Sequence, residues 1–317
     1  MTPAPTTFAE RLLVDTAVVF PGQGTQQPGM GLEWRDHPAW VVVERAEAGL
    51  GEPLAHLLLD APAETLARTR EAQLAVLLTS LVIWEAARDS VHEPVAFAGH
   101  SLGQVSALIA SGVLAIEDGV QLAARRAELT QAAADAHPGK MAALLGATPE
   151  SAVDACSITP DSCWLANDNA PGQVVIAGTP EGLETALAHA KELGIKKAVP
   201  LNVGGAFHTP LMQDATDGLV PVLAGLEVHD PVAPVISNND GQAYPAGDGW
   251  RERSARHVSA PVHWREAQLT LAGLGATTLL EVGHGSMLSA LARRTIPDVT
   301  VVALSTPETV AAYAAST

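Results

Sequence analysis

The sequence predicts an α/β protein built on a parallel β-sheet, because three short apolar runs are each followed by a glycine turn and then by apolar residues at helical spacing. Each run directly precedes its turn: residues 18–20 precede 21–24, residues 95–98 precede 99–103, and residues 279–282 precede 283–285. Buried parallel strands have this continuous apolar character, and they end in loops. The recurrence of strand, turn and helix indicates helices on both faces of one sheet.

A different pattern between residues 137 and 206 predicts a small inserted subdomain. We expect strands at residues 141–145, 163–166, 174–177 and 198–203, and helices at residues 149–156 and 180–193. The order β-α-β-β-α-β is that of a ferredoxin-like unit. The predicted fold is therefore a large α/β-hydrolase-like core, residues 1–136 and 207–317, that carries a ferredoxin-like α+β subdomain at residues 137–206.

The composition indicates a compact globular protein. Hydrophobic residues make up 47% of the 317 residues, charged residues 17% and aromatic residues 4%, so Ala, Val and Leu must fill the core. No positively charged start precedes an apolar run, and no segment approaches about 18 continuous apolar residues. Cys156 and Cys163 have neither metal nor redox spacing. We expect a cytoplasmic monomer without a bound metal or a membrane segment.

The formal net charge of −17 limits the possible partners. Such an acidic chain repels nucleic acid and anionic membranes, so an acidic partner needs a locally basic patch. The compact basic pairs are Lys196 with Lys197, and Arg293 with Arg294. A single pair of this kind is more often ordinary solvated surface charge than a binding site.

The turn GHSLG at residues 99–103 matches the G-x-S-x-G nucleophile elbow. Its glycines permit a sharp turn that exposes Ser101, and the N–H groups at the start of the following helix suit an oxyanion. The alternative is an ordinary glycine-bounded turn with a helix-capping serine. The strand before the turn and the helix after it favour the catalytic interpretation, in which the side chain of His100 points away from Ser101.

A serine nucleophile needs a general base, and the chain has eleven histidines. His208 follows the sequence GGAF where the subdomain rejoins the core, which predicts a loop over the sheet. His257, His263 and His284 lie near other predicted loop ends. The residues alone therefore leave the identity of the base open.

Six separated sequence blocks carry a family resemblance. They are FPGQGTQ at residues 20–26, GHSLG at 99–103, NAPGQVVIAG at 169–178, FH at 207–208, PVHW at 261–264 and EVG at 281–283. Through these blocks the chain resembles the malonyl-CoA:acyl carrier protein transacylases and the related acyltransferase domains of polyketide synthases. The resemblance runs from about residue 18 to residue 294, nearly the whole chain.

The resemblance implies a Ser/His dyad in which Ser101 is the nucleophile and His208 is the base. In this family a backbone carbonyl orients the histidine, and here that carbonyl would belong to His257, where the family commonly has Gln. The oxyanion hole would consist of the backbone N–H groups of Gln23 and Leu102.

The resemblance also assigns the substrate pocket. Gln73 and Asn169 match polar residues that line it, and Arg126 matches the arginine that binds the free carboxylate of malonyl groups. A guanidinium offers two parallel N–H groups to a carboxylate and therefore selects carboxyacyl groups. The ordinary interpretation of an arginine on a helix is a solvated side chain, as we expect for Arg125.

Two residues depart from the family pattern, and a third bears on the acyl group. Gln104 stands where Glu is frequent, and Gly205 stands where polyketide acyltransferases that use malonyl groups often have His. The bulk of Phe207 should disfavour an α-branched acyl group, whereas Gly205 would leave room for one.

The activity implied is transfer of a malonyl group from malonyl-CoA, through an acyl-Ser101 intermediate, to the phosphopantetheine thiol of an acyl carrier protein. This reaction belongs to fatty acid or polyketide biosynthesis, and the resemblance implies no permanently bound cofactor. The acidic carrier protein would dock on Lys196, Lys197, Arg293 and Arg294.

Three alternatives remain at this point. An acyl hydrolase, including a family relative that clears stalled carrier proteins, would use the same elbow, and His284 could complete its triad. A discrete polyketide acyltransferase could use another acyl group or a carrier-bound donor. A non-catalytic module that binds carrier protein is the third.

Overall fold

The computed structural model describes residues 15–317, so the first 14 residues of the predicted core lie outside the described part. Its strands are β1 (Thr16–Phe20), β2 (Ala96–Gly99), β3 (Lys140–Leu145), β4 (Cys163–Ala170), β5 (Gln173–Gly178), β6 (Lys197–Pro200), β7 (Val235–Ile236), β8 (Ala243–Tyr244), β9 (Thr278–Val282) and β10 (Thr300–Leu304).

The α-helices lie between and after these strands. They are α1 (Val41–Leu50), α2 (Ala55–Leu59), α3 (Ala63–Leu66), α4 (Thr69–Ala87), α5 (Gly103–Ala110), α6 (Ile116–Ala136), α7 (Pro149–Cys156), α8 (Pro180–Glu192), α9 (Gln213–Ala224), α10 (Trp250–Arg256), α11 (Trp264–Gly273), α12 (Met287–Thr295) and α13 (Pro307–Ser316). No helix within residues 15–317 is both long and apolar enough to span a lipid bilayer.

The larger sheet has the strand order β10-β9-β1-β2-β7-β8. Its first five strands are parallel, and only β8 runs antiparallel to its neighbour. The predicted mixed α/β fold with a parallel sheet is confirmed. The strands β7, β8 and β10 are not predicted from the sequence. Strands of two residues, such as β7 and β8, are too short to show a periodic pattern.

Helices cover both faces of this sheet, as predicted. Along β1, Val18 and Phe20 point into one hydrophobic core and Ala17 and Val19 into another, because successive side chains of a strand alternate between faces. The first core is completed mainly by α4, α5 and α6, and the second by α11 and α12. All four side chains are fully buried.

The smaller sheet is antiparallel and has the strand order β4-β5-β3-β6. Helices α7 and α8 contribute buried side chains to its core, and the chain runs β3-α7-β4-β5-α8-β6 through this region. Strand β4 extends to Ala170, beyond the predicted end at residue 166, and β6 ends at Pro200 rather than at 203. The thiols of Cys156 and Cys163 are free, with their sulfur atoms 3.5 Å apart in this core.

Strand β4 also ties the smaller sheet to the rest of the chain. The N–H of Asp168 donates to the carbonyl of Val262, and the N–H of Val262 donates to Ala166, both at 2.9 Å. The buried carboxylate of Asp168 pairs with the Arg265 guanidinium at 2.8 Å. These contacts fix one wall of the cleft described next.

Candidate active site

Ser101 lies in the turn between β2 and α5. Its φ angle is +53°, in the left-handed region that residues other than glycine rarely adopt. A Cβ atom on Gly99 would collide with the carbonyl of Gly103, so this turn requires glycine. The strand, sharp turn and helix predicted for the nucleophile elbow are therefore all present.

The loop after β1 lies directly beside this turn. Strands β1 and β2 pair with Phe20 opposite Gly99, and the N–H of His100 donates to the carbonyl of Phe20 at 3.0 Å. A Cβ atom on Gly22 would lie 2.5 Å from the carbonyl oxygen of His100. Only glycine permits the loop that carries Gln23 to approach the serine turn so closely.

Ser101 and His208 form a hydrogen-bonded pair. The Oγ of Ser101 lies 2.8 Å from Nε2 of His208, and Nδ1 of His208 lies 2.9 Å from the carbonyl oxygen of His257. A carbonyl only accepts hydrogen bonds, so Nδ1 carries the proton and Nε2 is free to accept from the serine hydroxyl. The ring is thus oriented to remove the proton from Ser101.

The surroundings of His208 keep its ring neutral. The side chain is 4% exposed. Burial first, and then the positive charge of Arg126, lower the pKa of His208 to about 3. At neutral pH the imidazole is therefore unprotonated and can act as a general base without first losing a proton.

Arg126 places a positive charge beside the nucleophile. It projects from α6, is 6% exposed, and donates from Nη1 to Gln73 Oε1 at 2.6 Å and from Nη2 to Ser101 Oγ at 3.2 Å. Its Nε has no hydrogen-bond partner, and no carboxylate within residues 15–317 forms an ion pair with it. Burial lowers the pKa of Arg126 to about 10, which leaves the guanidinium charged at neutral pH.

The adjacent Arg125 has a different environment from Arg126, which the sequence alone could not show. Its side chain is exposed and pairs with Glu128 one helical turn away. The helix therefore turns Arg125 to solvent and Arg126 to the cleft.

The cleft over Ser101 has a volume of about 440 Å³. Its walls come from the serine turn, the β1 loop, α6 and the smaller sheet: Gln23, Gly24, Gln26, Ala67, Gln73, His100, Ser101, Leu102, Arg126, Met141, Asn167, Leu201, Asn202, Val203, Gly204, Phe207 and His208. Among the described residues, the backbone N–H groups of Gln23 and Leu102 donate to no protein acceptor. Both groups are thus available to an oxyanion.

Asn169 is not among the residues that line the cleft, and its predicted contact with substrate stays a prediction. Its Oδ1 accepts a hydrogen bond of 2.8 Å from Nε2 of His100, whose ring packs edge-on against Trp264. The pairing of β4 shifts register between Asp168 and Ala170, and this breaks the alternation that would put Asn169 on the same face as Asn167. Asn167 lines the cleft instead. The prediction that His100 turns away from Ser101 to form supporting contacts is confirmed.

The inference from Gly205 is wrong. A Cβ atom at this position would lie 2.6 Å from Cβ of Ala134 on α6, so the position faces a packed helix and leaves no space beside an acyl group. Gly204 faces the cleft, and a Cβ atom there would make only ordinary contacts with Gln131 and Thr69.

One residue that contacts the serine turn is not predicted from the sequence. The buried carboxamide of Asn238 accepts the N–H of Ser101 at 2.8 Å and donates to the carbonyl of Gly99 at 2.8 Å. The polar run SNNDG at residues 237–241, after the apolar pair 235–236, was the available signal. Such a run ordinarily indicates only a turn.

The remaining predicted residues lie apart from the dyad. His284 lines a separate cavity with Trp34, and His263 contacts Asn238 through its backbone N–H. The side chains of the two basic pairs are exposed: Lys196, Lys197, Arg293 and Arg294. Arg294 also binds the carbonyl of Pro171 and, at 2.9 Å, the side chain of Gln173.

Comparison with known proteins gives one consistent family. The model of the acyl transferase domain family matches residues 17–313. The malonyl CoA-acyl carrier protein transacylase of Bacillus subtilis is 38% identical over 299 residues, which cover 93% of this chain and 94% of that protein.

Solved structures agree with this similarity. An acyl carrier protein S-malonyltransferase from Vibrio cholerae superposes with a TM-score of 0.90 at 34% identity, covering 94% of this chain and 99% of that one. A malonyl-transacylase in complex with its type II polyketide synthase acyl carrier protein superposes with a TM-score of 0.90 at 32% identity, covering 96% of this chain and 100% of that one.

The low pKa of His208 predicts an unusual pH profile for the reactivity of Ser101. Phosphonylation of Ser101 by a fluorophosphonate reagent should proceed at a constant rate from about pH 8 to about pH 5, because the base stays unprotonated throughout. The rate is measured by intact mass at each pH. A fall in rate with a midpoint near the ordinary histidine pKa of about 6.5 would contradict this account.

Proposed function

The chain belongs to the acyl transferase domain family, among the malonyl-CoA:acyl carrier protein transacylases, and we propose that it transfers malonyl groups through Ser101. The observation that carries the proposal is the buried guanidinium of Arg126, which has no carboxylate partner in the described chain and lies 3.2 Å from Ser101 Oγ. An unpaired buried charge is unfavourable, so the site favours an acyl group that brings its own carboxylate. A malonyl thioester has that carboxylate two bonds from the carbonyl carbon that Ser101 attacks.

In the first half-reaction Ser101 Oγ attacks the thioester carbonyl of malonyl-CoA while His208 Nε2 takes the hydroxyl proton. The N–H groups of Gln23 and Leu102 stabilise the oxyanion that forms. When the carbon–sulfur bond breaks, His208 returns the proton to the sulfur. Free coenzyme A leaves, and the malonyl group remains as an ester on Ser101.

The second half-reaction is the reverse of the first with a different thiol. The phosphopantetheine thiol of the acyl carrier protein gives its proton to His208 and attacks the malonyl ester. The ester bond then breaks, and Ser101 recovers its proton from His208. Because the donor leaves before the acceptor reacts, the kinetics are ping-pong. The product serves fatty acid or polyketide biosynthesis.

The hydrolase alternative is not favoured. Its third triad member, His284, lines a cavity apart from Ser101, and the position of the base is occupied by His208. The intact pair of Ser101 and His208 likewise argues against a non-catalytic binding module.

We also propose the domain division made from the sequence. A ferredoxin-like subdomain at residues 137–206 is supported by the strand order β4-β5-β3-β6 with two helices. The α/β-hydrolase-like core predicted at residues 1–136 and 207–317 is supported, within the described residues, by the larger sheet. A monomeric state and a cytoplasmic location remain predictions from the sequence.

The acyl carrier protein is the partner, and we propose that it docks through the exposed basic pairs. Lys197 is the first residue of β6 and Lys196 directly precedes it, and the strand is followed by residues 201–204, which line the cleft. Arg293 lies at the end of α12 and is exposed. The hydrogen bonds of Arg294 within the chain make it the least available of the four.

Substitution of Arg126 tests the selection of carboxyacyl groups. Arg126→Ala should lower kcat/KM for malonyl-CoA by roughly 10- to 100-fold, because a charge-assisted hydrogen-bonded contact is lost, while acetyl-CoA is affected much less. Acyl-serine formation with the two donors in competition is measured by intact mass.

The neighbouring arginine provides the matched control. Arg125→Ala removes an exposed charge from the same helix and should leave both rates unchanged. Equal loading of acetyl and malonyl groups by the unaltered enzyme would overturn the role of Arg126.

Charge reversal tests the docking surface. The combined substitution of Lys196, Lys197 and Arg293 by Glu should raise KM for the acyl carrier protein by about 10-fold at low salt, because the acidic partner loses its attraction. KM for malonyl-CoA should not change, and replacement of the same residues by Gln should give a smaller rise. An unchanged KM for the carrier protein would reject this surface.

A further inference from the structure

We propose that Asn238 is a positioning residue that holds Ser101 in its reactive conformation. The proposal rests on the proposed function only in taking Ser101 as the nucleophile. Asn238 is fully buried and is not among the residues that line the cleft, so it acts on the substrate only through Ser101.

The carboxamide of Asn238 bridges the two sides of the serine turn. Its Oδ1 accepts the N–H of Ser101 at 2.8 Å, and its Nδ2 donates to the carbonyl of Gly99 at 2.8 Å. The turn contains the left-handed φ of +53° at Ser101, which persists only where surrounding contacts maintain it. Both bonds reach backbone atoms of the turn, so they constrain the direction in which the serine hydroxyl points.

Asn238 is itself fixed by its neighbours. Its N–H donates to Gln104 Oε1 at 2.7 Å, and its carbonyl accepts from the N–H of His263 at 2.9 Å. Its backbone is bonded at both ends, and its fully buried side chain makes two further hydrogen bonds, which restrain rotation of the carboxamide. The turn is therefore held by a rigid group.

The same contacts extend to the support of the base. Nε2 of Gln104 lies 3.4 Å from Nδ1 of His257, and the backbone carbonyl of His257 orients His208. Asn238 and Gln104 thus connect the backbone of the nucleophile to the residue that supports the base. The N–H of Asn238 bonds only to the side-chain oxygen of residue 104. The Glu that is frequent in the family at this position would supply the same acceptor.

The structure accordingly predicts an effect on rate without an effect on substrate affinity. Arg126, Gln73 and the cleft walls are untouched by a change at Asn238, so KM for malonyl-CoA should stay the same. A misdirected serine hydroxyl should lower kcat, since displacements on the order of 1 Å reduce rates by about 100-fold.

The experiment compares Asn238→Asp and Asn238→Ala with the adjacent Asn239→Asp. Asp at 238 has almost the same shape but loses the donor to Gly99, and Ala loses both bonds. Asn239 makes an equivalent bond to the carbonyl of Arg253 at 2.9 Å and does not touch the serine turn. Each variant is assayed for kcat and KM with malonyl-CoA and for the rate of Ser101 phosphonylation by a fluorophosphonate, with melting temperature measured in parallel.

The expected result is a loss of about 100-fold in kcat and in phosphonylation rate for both Asn238 variants, an unchanged KM, and rates within about twofold for Asn239→Asp. The proposal would be overturned if a folded Asn238→Asp or Asn238→Ala enzyme were phosphonylated at Ser101 as fast as the unaltered enzyme. If neither Asn238 variant folds, Gln104→Leu serves as the second test, because Gln104 holds the backbone of Asn238. It should lower kcat at constant KM, and an unchanged kcat would overturn the proposal.

The phosphonylation assay separates this inference from the proposed function. It needs no malonyl donor, so an unaltered enzyme that is phosphonylated but not malonylated refutes the malonyl transfer and leaves the test of Asn238 intact.

Discussion

In the larger sheet, β1 and β2 run parallel with Phe20 opposite Gly99, so the loops that follow them leave the sheet side by side. This pairing is the constraint on which the site depends. It brings the loop of Gln23 against the turn of Ser101, and glycine is required at positions 22 and 103 because side chains there would strike the backbone of His100 and of Phe20 on the opposing segment. The two N–H groups proposed for the oxyanion hole therefore come from loops whose separation is set by the sheet.

A second constraint is electrostatic. Arg126 and His208 are both buried next to Ser101, and the charge of Arg126 contributes to the low pKa of His208. Within the described chain, the site thus holds a cation without a carboxylate partner beside a base of lowered pKa. A bound carboxylate would neutralise Arg126 and make His208 more basic, so that one group on the substrate would improve both binding and proton transfer. Under the proposed function, this coupling would favour a malonyl group over an acetyl group.

The serine turn follows from local sequence, whereas the other predicted site residues follow from the family resemblance. The elbow was identifiable because a strand, a glycine-flanked serine and a helix occur consecutively, and His208 and Arg126 were assigned from family resemblance at fixed positions. The structure brings Ser101, His208, Arg126 and Gln73 together as expected. Predicted strands and helices matched to within a few residues, because long apolar runs report burial directly.

The sequence failed where the outcome depends on three-dimensional contacts. The register shift in β4, with Asn167 lining the cleft and Asn169 bonded to His100, is invisible to a rule of alternation. Gly205 faces Ala134 on a helix about 70 residues earlier in the chain, a contact that no local pattern indicates. Asn238 reaches Ser101 across 137 positions, and its neighbours in sequence resemble an ordinary polar turn.

The most direct test of the account follows one malonyl group through the reaction. The protein is incubated with malonyl-CoA, the modified peptide is identified by mass spectrometry, and acyl carrier protein bearing phosphopantetheine is then added. The account predicts a malonyl ester on Ser101 that disappears as malonyl carrier protein forms in equal amount. A malonyl group on another residue, or loss of the ester to water without transfer to the carrier protein, would contradict it.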